Sequence, residues 1–557
     1  MPDRRALPLP FPRYTLTSNQ LVLAASAFWA VALNRPFFAA ALRGHPLADA
    51  ATWQFALALA VALVALHVLL IGLVGTRRTL KPLLALLTLV GAFAMHYMQA
   101  YGVVIDPSMV RNAVHTDVAE TRELLGWGLA LDLLLYAALP VALLASARIE
   151  PRPWAPALRS RALLLGGAAG ALALALLWQF QPLAALTRNH KEVRYLVTPA
   201  NALWSLGSVL AADARGAAKP RQPIGLDAKP GTGAATRQRP RLVVLVVGET
   251  ARAANWGLSG YARQTTPQLA QLPVINFAEV GACGTSTEVS VPCMFAPVGR
   301  RDYDEARIRG SESLMHVAAR AGVAVHWRDN QSGCKGVCAG LPNDRVDAVV
   351  APGLCQGDRC WDEGLLRGLD ERLHTLAGGH ATQLLVLHML GNHGPSYFRR
   401  YPKAFEHFTP ACQHDDLSRC THEEIVNAYD NALLYTDHVL ASLIGTLQAH
   451  ADRVDAAMLY VSDHGESLGE KNLFLHGVPY PIAPREQTQV PMVTWFSAGF
   501  VRADALDLDC LRARARQPAQ HDHLFHTLLG LLDVNTSVYA PALDLARDCR
   551  HAAASAS

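Results

Sequence analysis

Apolar and polar positions along this chain follow two different rhythms, and the change between them divides it. Up to Phe180 the apolar residues come in long, nearly unbroken runs: Leu21–Leu42, Trp53–Val74, Leu83–Val104, Leu125–Leu144 and Ala162–Phe180. Each approaches the ~20 mostly apolar residues that a helix needs to cross a bilayer. After Arg241 the runs become short and β-rich, at Leu242–Val247, Val323–Trp327, Leu384–His388, Met458–Ser462 and Met492–Phe496, with helical patterns between them. That alternation predicts a largely parallel sheet covered by helices. Near-continuous apolar strands fit a sheet buried on both faces. Between the two regimes, Trp204, Leu206, Val209 and Leu210 form a helix-like apolar stripe suited to lying on a membrane surface. Ala214–Pro240, rich in Ala, Gly, Pro, Lys and Arg, has almost no large apolar residues with which to build a core and reads as a flexible connector. The expected parts are a five-span membrane domain over 1–181, a bridging helix and linker over 182–240, and a soluble domain over 241–557.

Charge gives this division an orientation. Arg4, Arg5 and Arg13 precede the first run, Arg77, Arg78 and Lys81 lie between the second and third, and Arg148, Arg152, Arg159 and Arg161 between the fourth and fifth. The opposite loops hold only Arg43, Arg111 and Arg122. Positive loops stay inside, so the N-terminus is expected in the cytoplasm and everything after Phe180 outside it. The first run lacks a convincing cleavage site and more spans follow, so it reads as a retained anchor. Arg35 and Asp132 fall in or near spans; Arg35 is expected at the outer interface and Asp132 paired within the bundle. With 51% hydrophobic and 17% charged residues among 557, the chain is too apolar to be disordered, and a net charge of +4 gives no reason to expect a nucleic acid partner.

All ten cysteines lie between Cys283 and Cys549, in the half placed outside. An even count in an oxidising compartment argues for disulfides, with nearest neighbours pairing as Cys283/Cys293, Cys334/Cys338, Cys355/Cys360, Cys412/Cys420 and Cys510/Cys549. A zinc–cysteine site is the alternative, but no two pairs show the spacing of structural zinc ligands.

Polar clusters follow four of the strands: Gly248-Glu249-Thr250, Asn330-Gln-Ser-Gly-Cys-Lys335, His388-Met-Leu-Gly-Asn-His393 and Ser462-Asp463-His464-Gly465-Glu466. Ligands of open α/β sheets bind beyond the carboxyl ends of strands, so these loops can share one site. Glu249, Asp463 and His464 form a mixed oxygen and nitrogen set suited to Zn²⁺, with His393 and His476 available for a second metal or the substrate. His521, Asp522, His523 and His526 read instead as the start of an apolar helix. Cys283-Gly-Thr-Ser-Thr-Glu-Val-Ser-Val-Pro-Cys293 offers hydroxyls that a metal could activate, and spacing does not choose between Thr285, Ser286 and Thr287. In the outer loop between the third and fourth runs, Asn112, Thr116 and Glu120 recur every four residues. On a helix they share a face able to hold an ammonium head group, or simply a solvated one.

The run Val247-Gly-Glu-Thr-Ala-Arg-Ala253, then Gly260-Tyr261 and Thr265-Thr266-Pro267, resembles the lipid A phosphoethanolamine transferases, the family of EptA-like and mobile colistin resistance enzymes. Cys283 to Phe295 resembles that family's nucleophile loop; Gly391-Asn-His-Gly-Pro395, Ser462-Asp-His-Gly-Glu-Ser467 and Leu475-His-Gly477 resemble its metal and substrate loops. The likeness extends over nearly the whole chain. It implies an alkaline-phosphatase/sulfatase-like α/β/α sandwich in the periplasm, anchored in a bacterial inner membrane by five transmembrane helices. It implies Thr287 as nucleophile and Glu249, Thr287, Asp463 and His464 around one tightly held Zn²⁺. Lys335, His393 and His476, with Ser332 nearby, would hold the phosphoethanolamine or a second zinc, and Asn112, Thr116 and Glu120 the donor head group. Phosphatidylethanolamine is then the donor and lipid A of lipopolysaccharide the acceptor, with a monomeric enzyme conferring resistance to polymyxin and other cationic peptides. The competing readings are a sulfatase or phosphodiesterase of the same superfamily, transfer to a core sugar, and a catalytically idle scaffold. Cys293-Met-Phe lacks the Cys- or Ser-x-Pro-x-Arg pattern a sulfatase nucleophile needs.

Overall fold

The computed structural model describes residues 13–114, 118–217, 220–235, 237–357 and 359–550. Contacts divide the chain into two units, Met1–Val110 with Leu125–Leu210, and Arg111–Leu124 with Ala211–Ser557. Within the first unit, Ala50–Val74, Leu80–Tyr101, Trp127–Ser146 and Trp154–Trp178 are long and apolar enough to cross a membrane. Ser18–Leu33 and Arg35–Ala41 form a pair bent by 58°, which makes a fifth if taken as one span. The first apolar run is therefore not straight. Pro36 lacks a backbone N–H and fits only the start of a new helix, while the Asn34 side chain donates to the Trp29 and Thr198 carbonyls at 2.8 Å. Leu163, Leu174 and Leu177 stand exposed on Trp154–Trp178, as suits a helix wrapped by lipid. Asp132 meets His96 Nδ1 at 2.8 Å, so this charge is paired inside the bundle as expected. Arg35 donates to Gln99 Oε1 at 3.2 Å and stacks over the Tyr136 ring.

The second unit is built on an eight-stranded sheet. Its strands in chain order are β1 (Arg241–Gly248), β2 (Ile275–Gly281), β3 (Ala324–Asp329), β4 (Asn343–Arg345), β5 (Thr382–His388), β6 (Asp455–Ser462), β7 (Gln489–Phe496) and β8 (Ala519–Gln520). The spatial order is β8-β2-β7-β6-β1-β5-β3-β4. Pairings are parallel except those of β7 with β6 and with β2. All five strands read from the apolar pattern are present. β2 was not legible because Asn276 and Glu279 interrupt its apolar run, and β4 and β8 are too short to carry a pattern.

Alternate residues of β1 enter two separate cores. Val243, Leu245 and Val247 pack with Val291 and Met294 of helix α1 (Thr287–Met294), while Leu242, Val244 and Val246 pack with Leu433 and Leu440 of α2 (His422–Ala449). Both faces are thus covered by helices, the α/β/α arrangement that β1, buried at every position, requires. Asp522 opens α3 (Asp522–Leu531), so the histidine-rich stretch is a helix start.

The segment expected as a flexible connector is fastened to this unit instead. Lys229–Pro230 pair with Val534–Asn535, Gln222 bridges to Ser311, and Asp227 accepts from the Thr536 hydroxyl at 2.8 Å and the Ser537 N–H at 2.7 Å. Ile224 and Ala228 pack against the core, and backbone and carboxylate hydrogen bonds order the rest. The preceding stripe lies on helix Ala200–Ala217, with Val209 buried and Trp204, Leu206 and Leu210 exposed.

All ten cysteines are bridged, each to the neighbour expected. Cys510–Cys549 closes a sequence separation of 39, against 4 for Cys334–Cys338. Loop-closure entropy assigns these about 4 and about 2 kcal/mol. Replacing Cys510 and Cys549 by serine is therefore expected to lower the thermal unfolding midpoint more than replacing any other pair. A larger fall for Cys334 and Cys338 would contradict this ordering.

Candidate active site

Three chain segments meet at the carboxyl end of the sheet's centre. Glu249 follows β1, Asp463 and His464 follow the adjacent parallel strand β6, and Thr287 opens α1. A helix N-terminus carries partial positive charge, which favours an anion or alkoxide there. The Thr287 hydroxyl lies 3.0 and 3.2 Å from the two Glu249 carboxylate oxygens and 3.4 Å from His464 Nε2. Thr285 is differently engaged, donating its hydroxyl to the Val478 carbonyl at 2.7 Å. Of these two threonines, Thr287 is the one whose hydroxyl faces Glu249 and His464.

Close backbone approach makes this convergence possible. Gly391 has φ +54°, and a Cβ there would stand 2.6 Å from the Glu249 carbonyl oxygen. Thr250, a non-glycine residue at φ 52°, and Lys335, at φ 48°, hold the left-handed conformation beside the site, as strained residues at functional centres do.

Asp463 Oδ1 accepts from the backbone N–H groups of Thr250 at 3.2 Å and His464 at 2.7 Å, while the buried Oδ2 has no hydrogen-bond partner among the described residues. His464 Nδ1 lies 2.9 Å from the Gly465 carbonyl, which can only accept, so Nδ1 carries the proton and Nε2 presents a lone pair. That lone pair faces Asp463 Oδ2 at 3.3 Å and Glu249 Oε1 at 3.4 Å. Donor atoms of Glu249, Asp463 and His464 all lie within 4.8 Å of one another. Burial, then the Asp463 charge, pushes the Glu249 carboxyl up to about 8. Electron-rich atoms gathered this closely in a buried site are stabilised by a cation, and two carboxylates with one imidazole suit a divalent metal with a position open for a hydroxyl.

A second group flanks these. The His476 ring lies 4.4 Å from that of His464 and 5.5 Å from that of His393, centre to centre. Glu466 Oε2 holds His476 Nδ1 at 3.2 Å. Lys335 donates to the Ser332 hydroxyl at 2.6 Å and faces Glu288 Oε2 at 3.7 Å, which links it to the residue after Thr287. Asn112 sits in helix Pro107–Val114 and Glu120 in helix Val118–Glu123, while Thr116 lies outside the described residues.

Three supporting residues were not assigned from sequence. Glu466 orients His476, Glu288 anchors Lys335, and His521 ties the loop at Cys283 to β6 by accepting from the Cys283 N–H and donating to the Ser462 carbonyl, both at 3.0 Å. Glu466 and Glu288 stand inside the quoted motifs, so their neighbours were a signal. His521 carried none beyond its chain of polar neighbours.

A family model described as phosphoethanolamine transferase EptA/EptB matches residues 63–214, and one described as sulfatase matches residues 241–534. The chain is 37% identical over 538 residues to phosphoethanolamine transferase EptA of Escherichia coli strain K12, covering 95% of this chain and 96% of that protein. It is 38% identical over 493 residues to phosphatidylethanolamine transferase Mcr-1 of Escherichia coli, covering 87% and 90%. The structure of the integral membrane protein lipooligosaccharide phosphoethanolamine transferase A from Neisseria meningitidis is similar with a TM-score of 0.92 at 35% identity, covering 97% of this chain and 100% of that one.

Proposed function

This chain belongs to the EptA/EptB family of phosphoethanolamine transferases, and from that premise we propose that it moves phosphoethanolamine from phosphatidylethanolamine to a phosphate of lipid A through an ester on Thr287. The observation that carries this reading is the Thr287 hydroxyl, buried at a helix N-terminus 3.0 Å from Glu249 and beside Asp463 and His464. Glu249, Asp463, His464 and Thr287 would hold one zinc ion. When bound, zinc supplies Lewis acidity that lowers the pKa of the Thr287 hydroxyl and offsets charge on phosphoryl oxygens.

Thr287 Oγ1 attacks the phosphorus, the bond to the glycerol oxygen breaks, and diacylglycerol leaves carrying the proton that Thr287 gave up. A lipid A phosphate oxygen then attacks the same phosphorus, the bond to Oγ1 breaks, and Thr287 recovers a proton. Lys335, fixed between Ser332 and Glu288, is placed to neutralise the oxygens around phosphorus. His393 and His476 are placed to bind the phosphoryl group, with Glu466 fixing the second ring. Asn112, Thr116 and Glu120 supply the head-group face. The enzyme acts as a monomer in the inner membrane with its catalytic unit in the periplasm. Adding an ammonium group to lipid A lowers the negative charge that attracts polymyxin.

Mass spectrometry of lipid A from cells with and without this protein tests the reading. The expected result is lipid A carrying added phosphoethanolamine only when the protein is present. Phosphoethanolamine found on a core sugar moves the acceptor, and free phosphoethanolamine with unmodified lipopolysaccharide identifies a phosphodiesterase.

A further inference from the structure

The loop between the third and fourth spans belongs, by its contacts, to the catalytic unit over Arg111–Leu124. A charged side chain is buried near each end of it. Arg111 is 8% exposed and Glu123 5% exposed, though both are residue types that ordinarily stay in water.

Arg111 Nη1 pairs with Asp213 at 3.0 Å, and its Nε pairs with Glu305 at 3.4 Å. From Glu305 the charges continue inward: to Arg309 at 3.1 Å, from Arg309 to Glu288 at 3.0 Å, and from Glu288 to Lys335 at 3.7 Å. This series ends beside Thr287. At the other end of the loop, Glu123 is paired with Arg400, and Arg359 Nε lies 3.9 Å away. Arg400, itself 3% exposed, donates from Nε to the His393 carbonyl at 2.6 Å. Burial works to raise the Glu123 pKa, but Arg400, Arg359 and His393 bring it below the usual carboxylate range. Each end of the loop is thus connected through two to four side chains to a residue of the site.

We propose that Arg111 and Glu123 are positioning residues, a pair of ionic latches that hold residues 112–114 and 118–122 in register with Lys335 and His393 so that they can receive the donor head group. The proposal rests on the transferase reading above. Buried ion pairs add little net stability, because desolvation offsets their attraction, but they penalise any arrangement that separates the partners. Such pairs suit a loop that must stand in one place. With either latch broken, the segment samples undocked positions and the donor must pay for its ordering, which appears as weaker binding.

The test uses the full chain in mixed vesicles of phosphatidylethanolamine and lipid A, comparing wild type with Arg111→Gln and Glu123→Gln. Each variant is expected to raise KM for phosphatidylethanolamine about tenfold with kcat held within about twofold, the signature of lost binding rather than lost chemistry. Amide exchange in 112–114 and 118–122 should quicken while β1, β5 and β6 stay protected. Arg111→Lys, which keeps the charge, should recover most of the affinity. Glu123→Gln leaves Arg400 buried without its carboxylate and can disturb the fold. Arg111→Gln, whose partners Asp213 and Glu305 are partly exposed, then carries the test alone. A fall in kcat at unchanged KM, or unchanged exchange in 112–114 and 118–122, overturns the proposal. If wild type transfers nothing, the activity reading fails, while the exchange comparison still decides whether the latches exist.

Discussion

Thr287→Ala is expected to abolish phosphoethanolamine transfer, by about 10⁴-fold or more, as removal of a covalent nucleophile does. Truncation removes only the hydroxyl and one methyl from a residue buried at the start of α1, so the helix and both cores remain. Thr285→Ala is the matched control. It loses the hydrogen bond to the Val478 carbonyl, about 1 kcal/mol of stability, and should keep activity within about tenfold. Intact-mass analysis adds a positive readout, since wild type incubated with phosphatidylethanolamine alone should gain one phosphoethanolamine and Thr287→Ala none. Equal loss of activity in both variants, with both folded, would remove the assignment of Thr287.

Asp463→Asn should cost nearly as much, through the metal rather than the nucleophile. The substitution keeps shape, and the amide oxygen can still accept from the Thr250 and His464 backbone N–H groups that now bind Oδ1. What changes is the second position: an amide N–H₂ replaces the buried Oδ2 that faces His464 Nε2. That group is a donor without charge and ligates no cation. Metal affinity should fall by more than about 100-fold, beyond the cost of losing an outer-shell partner, and transfer with it. Zinc content after dialysis, measured beside lipid A modification, checks both halves. Retained zinc with lost transfer would place Asp463 in some other role.

How much of this was legible in sequence depended on the range of the interaction. Hydrocarbon demands long apolar runs, so the spans could be read directly. A central strand buried on both faces is apolar at nearly every position, so β1, β5, β6 and β7 could be read as well, and β3 from its alternating Val325 and Trp327. Pro36 marks the bend locally, but the bond from Asn34 to Thr198, at a separation of 164 residues, has no local signal. Glu249, Asp463 and His464 stood out because each closely follows a strand, and the sheet order alone makes those strands neighbours. Thr287 was separable from Thr285 only once the Val478 carbonyl was seen to occupy the other hydroxyl. The connector failed in the opposite sense. Its composition excluded a core, correctly, yet Lys229–Pro230 form a strand pair that needs none. The pairing of Glu123 with Arg400, 277 residues away, is invisible in any single window.

The bridges between cysteines adjacent in sequence carry a consequence for how the protein is made. Because each cysteine joins the next one along, a chain threaded outward from its N-terminus meets the correct partner before any later thiol has emerged. Four of the five closures span between 4 and 10 residues, so they can form within short stretches of emerging chain. Oxidation in order of appearance already yields the native connectivity. Production in a host should therefore depend on an efficient thiol oxidant at the export site and be nearly indifferent to the loss of a disulfide-shuffling activity. Refolding from the fully reduced state, where all ten thiols compete at once, loses that ordering and should accumulate mispaired forms.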